Sequence, residues 1–493
     1  MASTSEFIVS VLALSAFTLV LYKAHFFQVV RNLPSDAMHG ISAMLDNEID
    51  DDSKELAVRK AGLALISATL RAGGRLILAL VAAAVTIMPL GAVGMASPQD
   101  TVELMLSMKY IAGMSAAGIL AFLVFRGRAG RSRVVGSESS GSYRFGDRFF
   151  HTLAFSNNGV QRIALQIDDF VFARRIASVP ESEPIFLTSL ARGGTTALLN
   201  AFHDMPGVGT HLYLDMPFVT APLLWSKVSR QNFRSVGRRK RAHGDGFEID
   251  LDSPEAFEEV LWKLYWPDHY QETAILPWTA AEAREEAQKA FEAHFKKIVL
   301  LRRKARLRAD NHPVRYMSKN NANLARLDLP RAMFPNCDIV IALRRPGPHA
   351  ASLCRQHRNF AVLHDKDHFA RRYMSDIGHF EFGALHRPLA FEGFDTTNSD
   401  PEEPDYWLRY WIAAFRSVNP AIERCHVVSQ DSLRAQPQAT MEALANKLNI
   451  ATGGLGCSQH FRSTPDIEPK NLFTPKLLAE ADEIYDTLIE NVG

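Results

Sequence analysis

Apolar positions change their rhythm partway along the chain. In the first quarter they run in long uncharged blocks, Phe7–Tyr22, Leu76–Ala96 and Tyr110–Phe125. A helix needs about 20 predominantly apolar residues to cross a bilayer. Leu76–Ala96 has that length, and the two shorter blocks are further candidates. The pattern predicts an N-terminal membrane region with transmembrane helices at 7–22, 76–96 and 110–125. Buried core helices are the alternative for the second and third blocks. The opening MASTSE has no positive charge, and no small-residue cleavage site follows the first block. That block is expected to be a retained anchor, not a removed signal.

From about Glu181 the apolar runs shorten and alternate with stretches of helical spacing. Strands are predicted at Pro184–Thr188, Val314–Met317, Asp338–Leu343 and His426–Val428. Helices are predicted at Thr195–His203, within 280–308, and at Asn321–Leu327, Pro348–Arg358, Tyr406–Val418 and Ala439–Leu448. Continuous apolar strands separated by helices predict an α/β fold, a mostly parallel sheet flanked by helices. The chain then divides into a membrane region over 1–133, a linker and lead-in helix over 134–180, and one domain over 181–493. The stretch GRAGRSRVVGSESSGSYRFGD, rich in Gly, Ser and Arg, reads as the linker. Between the first two spans, Ile41, Met44, Leu45 and Ile49 have the spacing of an amphipathic helix.

Charge orients the spans. Lys23 and Arg31 follow the first, Arg59, Lys60, Arg71 and Arg75 precede the second, and Arg126, Arg128, Arg131 and Arg133 follow the third. The other side carries Glu6, Asp100 and Glu103 with Lys109. Cationic flanks stay inside. The expected location is therefore the inner (cytoplasmic) membrane, multi-pass, with the N-terminus outside and the large domain in the cytoplasm. Over the whole chain Lys and Arg number 55 against 54 Asp and Glu, so nothing points to nucleic acid as a partner. Cys337, Cys354, Cys425 and Cys457 form no CxxC pair and read as free thiols.

Candidate chemistry begins at PIFLTSLARGGTTALLNAF, residues 184–202. A short strand meets the cluster Ser189–Thr196, and a helix carrying Leu198, Leu199 and Phe202 follows. A strand–loop–helix unit of this kind binds phosphate through backbone N–H groups and the helix N-terminus. Arg192 adds a charge that can chelate two oxygens. The nucleotide-hydrolysing P-loop is G-x-x-x-x-G-K-[ST], but here Thr195 follows Gly194 with no lysine between. A kinase or NTPase is therefore the disfavoured alternative, and a plain connecting turn is another. A second cluster, ALRRPGPHAAS, places Arg344 at a strand end and Ser352 in the next helix, where they can grip a second phosphate. Before it, Lys319 follows a short strand in RYMSKNNANLARL.

Taken together these motifs resemble the sulfotransferase family, with 3′-phosphoadenosine 5′-phosphosulfate (PAPS) as donor. The loop PIFLTSLARGGTT is similar to the family's 5′-phosphosulfate loop, ALRRPGPHAAS to its 3′-phosphate motif, and HVVSQDSLRAQPQATMEALANKL to its later strand and helix. THLYLDMPFVTAPLLW, SKNNANLARL and YMSDIGHFEFGALHRP resemble bacterial membrane-linked members. The resemblance implies a P-loop-type parallel sheet and a sulfotransferase domain over 181–493. It implies that Ser189, Arg192, Gly193, Gly194, Thr195 and Thr196 hold the 5′ end of the donor and that Arg344 and Ser352 hold the 3′-phosphate. Arg345 stands where the family usually has Asp or Asn. Arg192 would also stabilise the leaving charge, and Lys319 resembles a lysine that Golgi-type members place beside the sulfuryl group. The family's base follows the loop helix, which leaves Asp215 and His211 as candidates. No metal is implied, and the spacing of His357, His379 and His386 is poor for one.

The membrane region points to an acceptor at the bilayer: a glycan, a glycolipid or a lipid-linked precursor with a hydroxyl or amine. A non-catalytic membrane scaffold that keeps the fold is a third reading. The basic runs 230–243 and 295–308 read as solvated faces or as contacts with anionic headgroups. Trp225, Trp262, Tyr265, Trp266 and Trp278 read as core, or as platforms for sugar rings. FRSTPDIEPKNLFTP lacks the late Gly-rich basic segment of cytosolic members.

Overall fold

The computed structural model describes residues 4–24, 26, 51–94, 96–107, 110, 151–232, 239–240, 248–249, 253–306, 314–396, 399–454, 456–461 and 471–490. The expected third span after Tyr110, the amphipathic helix at 41–49, the 127–147 linker, most of the 230–243 run and most of FRSTPDIEPKNLFTP lie outside the described residues. The chain forms two compact units, Met1–Ser132 and Arg133–Gly493.

The first unit holds α1 (Thr4–Lys23), α2 (Asp51–Ala92) and α3 (Pro98–Leu106). Val9 and Ala13 of α1 pack on Ala83 and Ile87 of α2. Much else that is apolar faces outward, including Leu12, Leu19, Ile77, Val85 and Met88. Ser5–Lys23 and Leu70–Ala92 are long and apolar enough to cross a membrane.

The second unit is built on a five-stranded sheet: β1 (Ile185–Thr188), β2 (Val208–Gly209), β5 (Arg315–Lys319), β6 (Asp338–Leu343) and β7 (His426–Ser429), with β3 (Arg239–Lys240) and β4 (Glu248–Ile249) forming a separate pair. The order is β2-β5-β1-β6-β7, and every pairing in it is parallel. Parallel sheets are covered on both faces, and the period of two shows how. Phe186, Tyr316, Ile339 and Ile341 enter one core, whereas Ile185, Leu187, Met317, Val340 and Ala342 enter the other. The register Ile185↔Met317 and Phe186↔Ile339 keeps those sets in line.

Around the sheet, in chain order, lie α4 (Asn158–Ala177), α5 (Thr195–Asp204), α6 (Pro222–Asn232), α7 (Glu259–Tyr265), α8 (Glu285–Arg306), α9 (Asp328–Met333), α10 (Pro346–Lys366), α11 (His368–Ile377), α12 (Pro404–Val418), α13 (Gln430–Ala435), α14 (Pro437–Lys447) and α15 (Pro475–Glu490). The central strand β1 has β5 on one side and β6 on the other. Chain connections leave in opposite directions there, which opens a crevice at the carboxyl ends of the strands.

Most helices predicted in this unit match within two residues at each end, and two differ by more. The predicted helix Pro348–Arg358 starts two residues earlier and runs on to Lys366. Pro346 sits at its first position, where the missing N–H costs nothing. Asn321–Leu327 is a 3-10 turn over Asn321–Ala325 followed by the separate α9. The Asn320 side chain accepts from the Ala322 N–H (3.1 Å) and so tightens that turn. The five aromatics considered as sugar platforms, Trp225, Trp262, Tyr265, Trp266 and Trp278, are all buried and serve the core. The run 295–308 is partly internal. Lys297 is buried against Asp168 (3.3 Å) and Asp169 (2.7 Å), and Arg302 pairs with Asp215.

One buried ion pair fastens the β5 turn to the core. Arg326 is fully buried, its guanidinium 4.0 Å from the Trp262 ring centre and 4.6 Å from that of Trp278. It donates to Glu259 and to Asn323 Oδ1 (2.8 Å), and Glu259 also accepts from Asn320 Nδ2 (2.6 Å). Burial alone would raise the Glu259 pKa, but Arg326 holds it below the ordinary value. Arg326→Leu should strand that carboxylate and lower the unfolding free energy by about 3–5 kcal/mol. The double variant Arg326→Leu/Glu259→Leu should recover part of the loss. Urea unfolding followed by tryptophan fluorescence reads both.

Candidate active site

The loop after β1 is held in a conformation that its sequence does not favour. Arg192 has φ of 66°, in the left-handed region, which costs a non-glycine residue about 1–3 kcal/mol. Side chains from the β6–α10 segment hold both carbonyls that flank its N–Cα–C unit. His349 Nε2 donates to Ala191 O (2.8 Å), and Arg344 Nη1 donates to Arg192 O (3.0 Å). Trp411 Nε1, which can only donate, reaches His349 Nδ1 at 3.2 Å. His349 is therefore a neutral ring with its proton on Nε2, and it is completely buried.

The following glycines allow the chain to turn. Gly194 has φ of 95° and caps α5. A Cβ there would lie 2.3 Å from Gln430 Nε2, at the start of α13. At Gly193 a Cβ would lie 2.1 Å from Ser189 Oγ. Ser189 Oγ is itself buried and has no hydrogen-bond partner among the described residues. The loop thus leads into the N-terminus of a ten-residue helix, where backbone donors and the helix dipole favour an anion.

The second motif meets the first. Arg344 directly follows β6, and Ser352 is buried in α10. Arg192 Nε donates to Ser352 Oγ (3.4 Å). Together with the Arg344–Arg192 bond, this joins two loops some 150 positions apart into one site. Arg345 turns outward, pairs with Asp431 (2.7 Å) and lies 5.3 Å from the Tyr485 ring centre.

A cleft beside the loop is lined by Arg192, Thr195, Thr196, Lys319, Asn321 and Glu381, among others. Lys319 ends β5 and is buried. Its ammonium is 3.9 Å from Glu255, whose carboxylate accepts from Tyr213 OH (2.5 Å) and Ala256 N (2.9 Å). The cleft therefore combines cations at the strand ends with a carboxylate on the α11–α12 segment.

Two sequence candidates lie elsewhere. Asp215 and His211 do not line this cleft. Asp215 is buried and ion-paired with Arg302, and it accepts from Leu212 N (2.9 Å). Burial would raise its pKa, but Arg302 and then His211 hold it well below the ordinary carboxylate range. His211 lies 3.4 Å from Asp215 and 2.9 Å from His294 Nε2, in the same interior cluster. A carboxylate so occupied has little basicity. Conversely Asn321, Gln356, Glu381 and Phe382 line the cleft and carry no individual signal in the sequence, and His379, weighed above only for a metal, lines it too. Gln356 lies on α10, and the other four belong to the stretches SKNNANLARL and YMSDIGHFEFGALHRP, whose spacing gives no sign of which side chains converge. His357 and His386 approach each other, their ring centres 5.1 Å apart. Among the described residues, no group of three or more His, Cys, Asp or Glu could hold a metal ion.

Residues 184–453 match the family described as the sulfotransferase family. Similar solved structures include sulfotransferase STF1 from Mycobacterium tuberculosis H37Rv, at 17% identity and a TM-score of 0.36, covering 71% of this chain and 85% of that one. Sulfotransferase STF9 from Mycobacterium avium is 12% identical with a TM-score of 0.35, covering 75% of this chain and 86% of that one. Those scores are too low for either structure to bear on the chemistry of this chain. No curated protein matches the chain.

The loop geometry predicts two stability effects. Gly194→Ala meets both a positive φ and Gln430, and should cost about 1–3 kcal/mol. His349→Leu leaves the Ala191 carbonyl and the Trp411 N–H buried without this partner, at about 1–3 kcal/mol for each group. Urea midpoints within error of wild type for both variants would contradict the loop as described.

Proposed function

The chain belongs to the sulfotransferase family, and from that premise we propose that it moves a sulfuryl group from PAPS to a hydroxyl or amine of a lipid-type or glycan acceptor at a membrane. The observation that carries this reading is the junction of the two arginine motifs: Arg344 on the Arg192 carbonyl and Arg192 on Ser352. One ligand with an anion at each end is what such a site would accommodate.

The residues present fit the donor. Ser189 Oγ, without a hydrogen-bond partner among the described residues, the α5 N-terminus and the glycines that keep Cβ atoms out of the loop suit a 5′-phosphosulfate. Arg344 and Ser352 suit a 3′-phosphate. PAPS supplies an activated sulfuryl group when bound. Arg192 and the loop N–H groups then neutralise charge on the departing oxygen, a preorganised electrostatic effect. Lys319 lies in the same cleft and offers a further positive charge to the group in transit.

Membrane attachment is part of the same reading. Its support is the two apolar stretches Ser5–Lys23 and Leu70–Ala92 and their outward-facing large side chains. Cationic flanks favour a cytoplasmic transferase domain. An acceptor delivered from the bilayer follows from that attachment.

The test uses full-length protein in detergent with sulfur-labelled PAPS and total lipid and glycan extracts. Label should enter one fraction and vanish with Arg192→Ala. Arg344→Ala should weaken 3′,5′-ADP binding by about 10- to 100-fold, the loss of a charged hydrogen-bond donor. Transfer unaffected by Arg192→Ala, or undiminished 3′,5′-ADP affinity in Arg344→Ala, would overturn the donor assignment.

A further inference from the structure

A second pocket opens directly off the cleft. The two share Ala191, Asn321, His379, Glu381 and Phe382. Beyond that shared rim the walls turn mostly apolar, with Ile275, Phe380, Leu389 and Trp407. These four side chains are buried, so the pocket is a formed part of the core. Its cation, Arg387, lies 4.6 Å from the Phe380 ring centre. Its other carboxylate, Glu259, is ion-paired with Arg326.

Glu381 stands at the junction and is fixed from two sides. Its carboxylate accepts from Asn321 Nδ2 (2.8 Å). Its backbone carbonyl accepts from His386 Nδ1 (2.6 Å), and His386 Nε2 meets Tyr406 OH (2.7 Å). Burial, with His357 adding to it, pushes the His386 pKa down to about 3, so that ring stays neutral and keeps the arrangement across ordinary pH. Asn321 is fixed in turn, its carbonyl accepting from Thr188 Oγ1 (3.4 Å) at the end of β1. Asn321 Oδ1 is out of contact with water and has no hydrogen-bond partner among the described residues. The rim of the pocket therefore presents a positioned carboxylate, in the same cleft as Arg192 and Lys319.

We infer that Glu381 takes the proton from the acceptor hydroxyl and that the apolar pocket holds the acceptor's body, so that the acceptor is an uncharged alcohol with a hydrocarbon part and not a charged sugar. This rests on the sulfotransfer reading and names the acceptor class and the proton acceptor within it. In the step, the acceptor O–H breaks and its proton goes to a Glu381 carboxylate oxygen. The acceptor oxygen forms the new bond to sulfur. The bond from sulfur to the phosphate's bridging oxygen breaks, and its electron pair leaves with that oxygen, beside Arg192. Asn321 is a positioning residue that aims Glu381.

Full-length protein in detergent, labelled PAPS and n-alkanols of four to ten carbons form the assay, with glucuronic acid as the charged-sugar probe. Wild type should sulfate the alkanols with kcat/KM rising about 3- to 4-fold per methylene until the pocket is full, and should leave glucuronic acid unlabelled. Glu381→Gln should lower kcat by about 100- to 10,000-fold, with KM for 1-octanol within about 3-fold and 3′,5′-ADP affinity unchanged. Leu389→Phe, a wall residue away from the donor cleft, should shorten the chain length at which the rise stops. Any one of three results overturns the inference: kcat of Glu381→Gln within about 3-fold of wild type, rates flat with chain length, or glucuronic acid labelled as well as 1-octanol. Failure of wild type to bind 3′,5′-ADP would strike the sulfotransfer reading itself and take this inference with it. Normal 3′,5′-ADP binding with no alkanol sulfated would overturn this inference alone.

Discussion

Everything in the site hangs on a backbone that bends the wrong way at an arginine. A residue with a side chain resists a positive φ, and Arg192 adopts one. The conformation persists because Ala191 O and Arg192 O are each claimed by a side chain from the β6–α10 segment. His349 can do this only with its proton on Nε2, and Trp411 enforces that tautomer from the core side. The loop is thus strained locally and paid for by the neighbouring motif. Three hydrogen bonds lock the two arginine motifs together.

The parallel sheet explains why such distant segments can cooperate. All five strands run the same way, so their carboxyl ends share one edge. At that edge β1 delivers the Arg192 loop, β5 delivers Lys319 and the Asn320–Asn321 turn, β6 delivers Arg344, and β7 delivers Gln430 against Gly194. The central position of β1 is what places its loop among the others. The Arg326–Glu259 pair extends the same logic inward, because Glu259 also holds Asn320. A change in the tryptophan-lined core there would move the turn that carries Asn321.

The sequence was most readable where local rules act alone. DIVIAL is apolar after its first residue, Asp338, and becomes β6 over the predicted residues, and IFLT becomes a strand buried at every position. The glycine pair and the arginine in the first loop were visible as residue types with a known use. What could not be read was anything that depends on partners far along the chain. Asp215 has the right chemical type, but its carboxylate is spent on Arg302, a residue of a basic run that reads as surface. Glu381 lies in a segment with neither helical nor strand periodicity, and its value comes from Asn321, sixty positions away. The two-residue β2 is too short to leave a pattern.

The distribution of charge around the cleft gives the proposed reaction its direction. In sulfuryl transfer negative charge gathers on the departing oxygen, while a proton must leave the incoming one, and the two events lie on opposite sides of the sulfur. A site with cations alone would serve the first and obstruct the second, since a nearby positive charge opposes protonation of a base. Here the cations sit at the ends of β1, β5 and β6, whereas Glu381 belongs to the segment between α11 and α12. Lys319 is backed by Glu255, which tempers its charge without entering the cleft. Asp215 would fail on this ground even if an acceptor could reach it: a carboxylate held by Arg302 has already given up the basicity that the step requires. Glu381, by contrast, is aimed by the neutral amide of Asn321 and has no ion pair of this kind among the described residues.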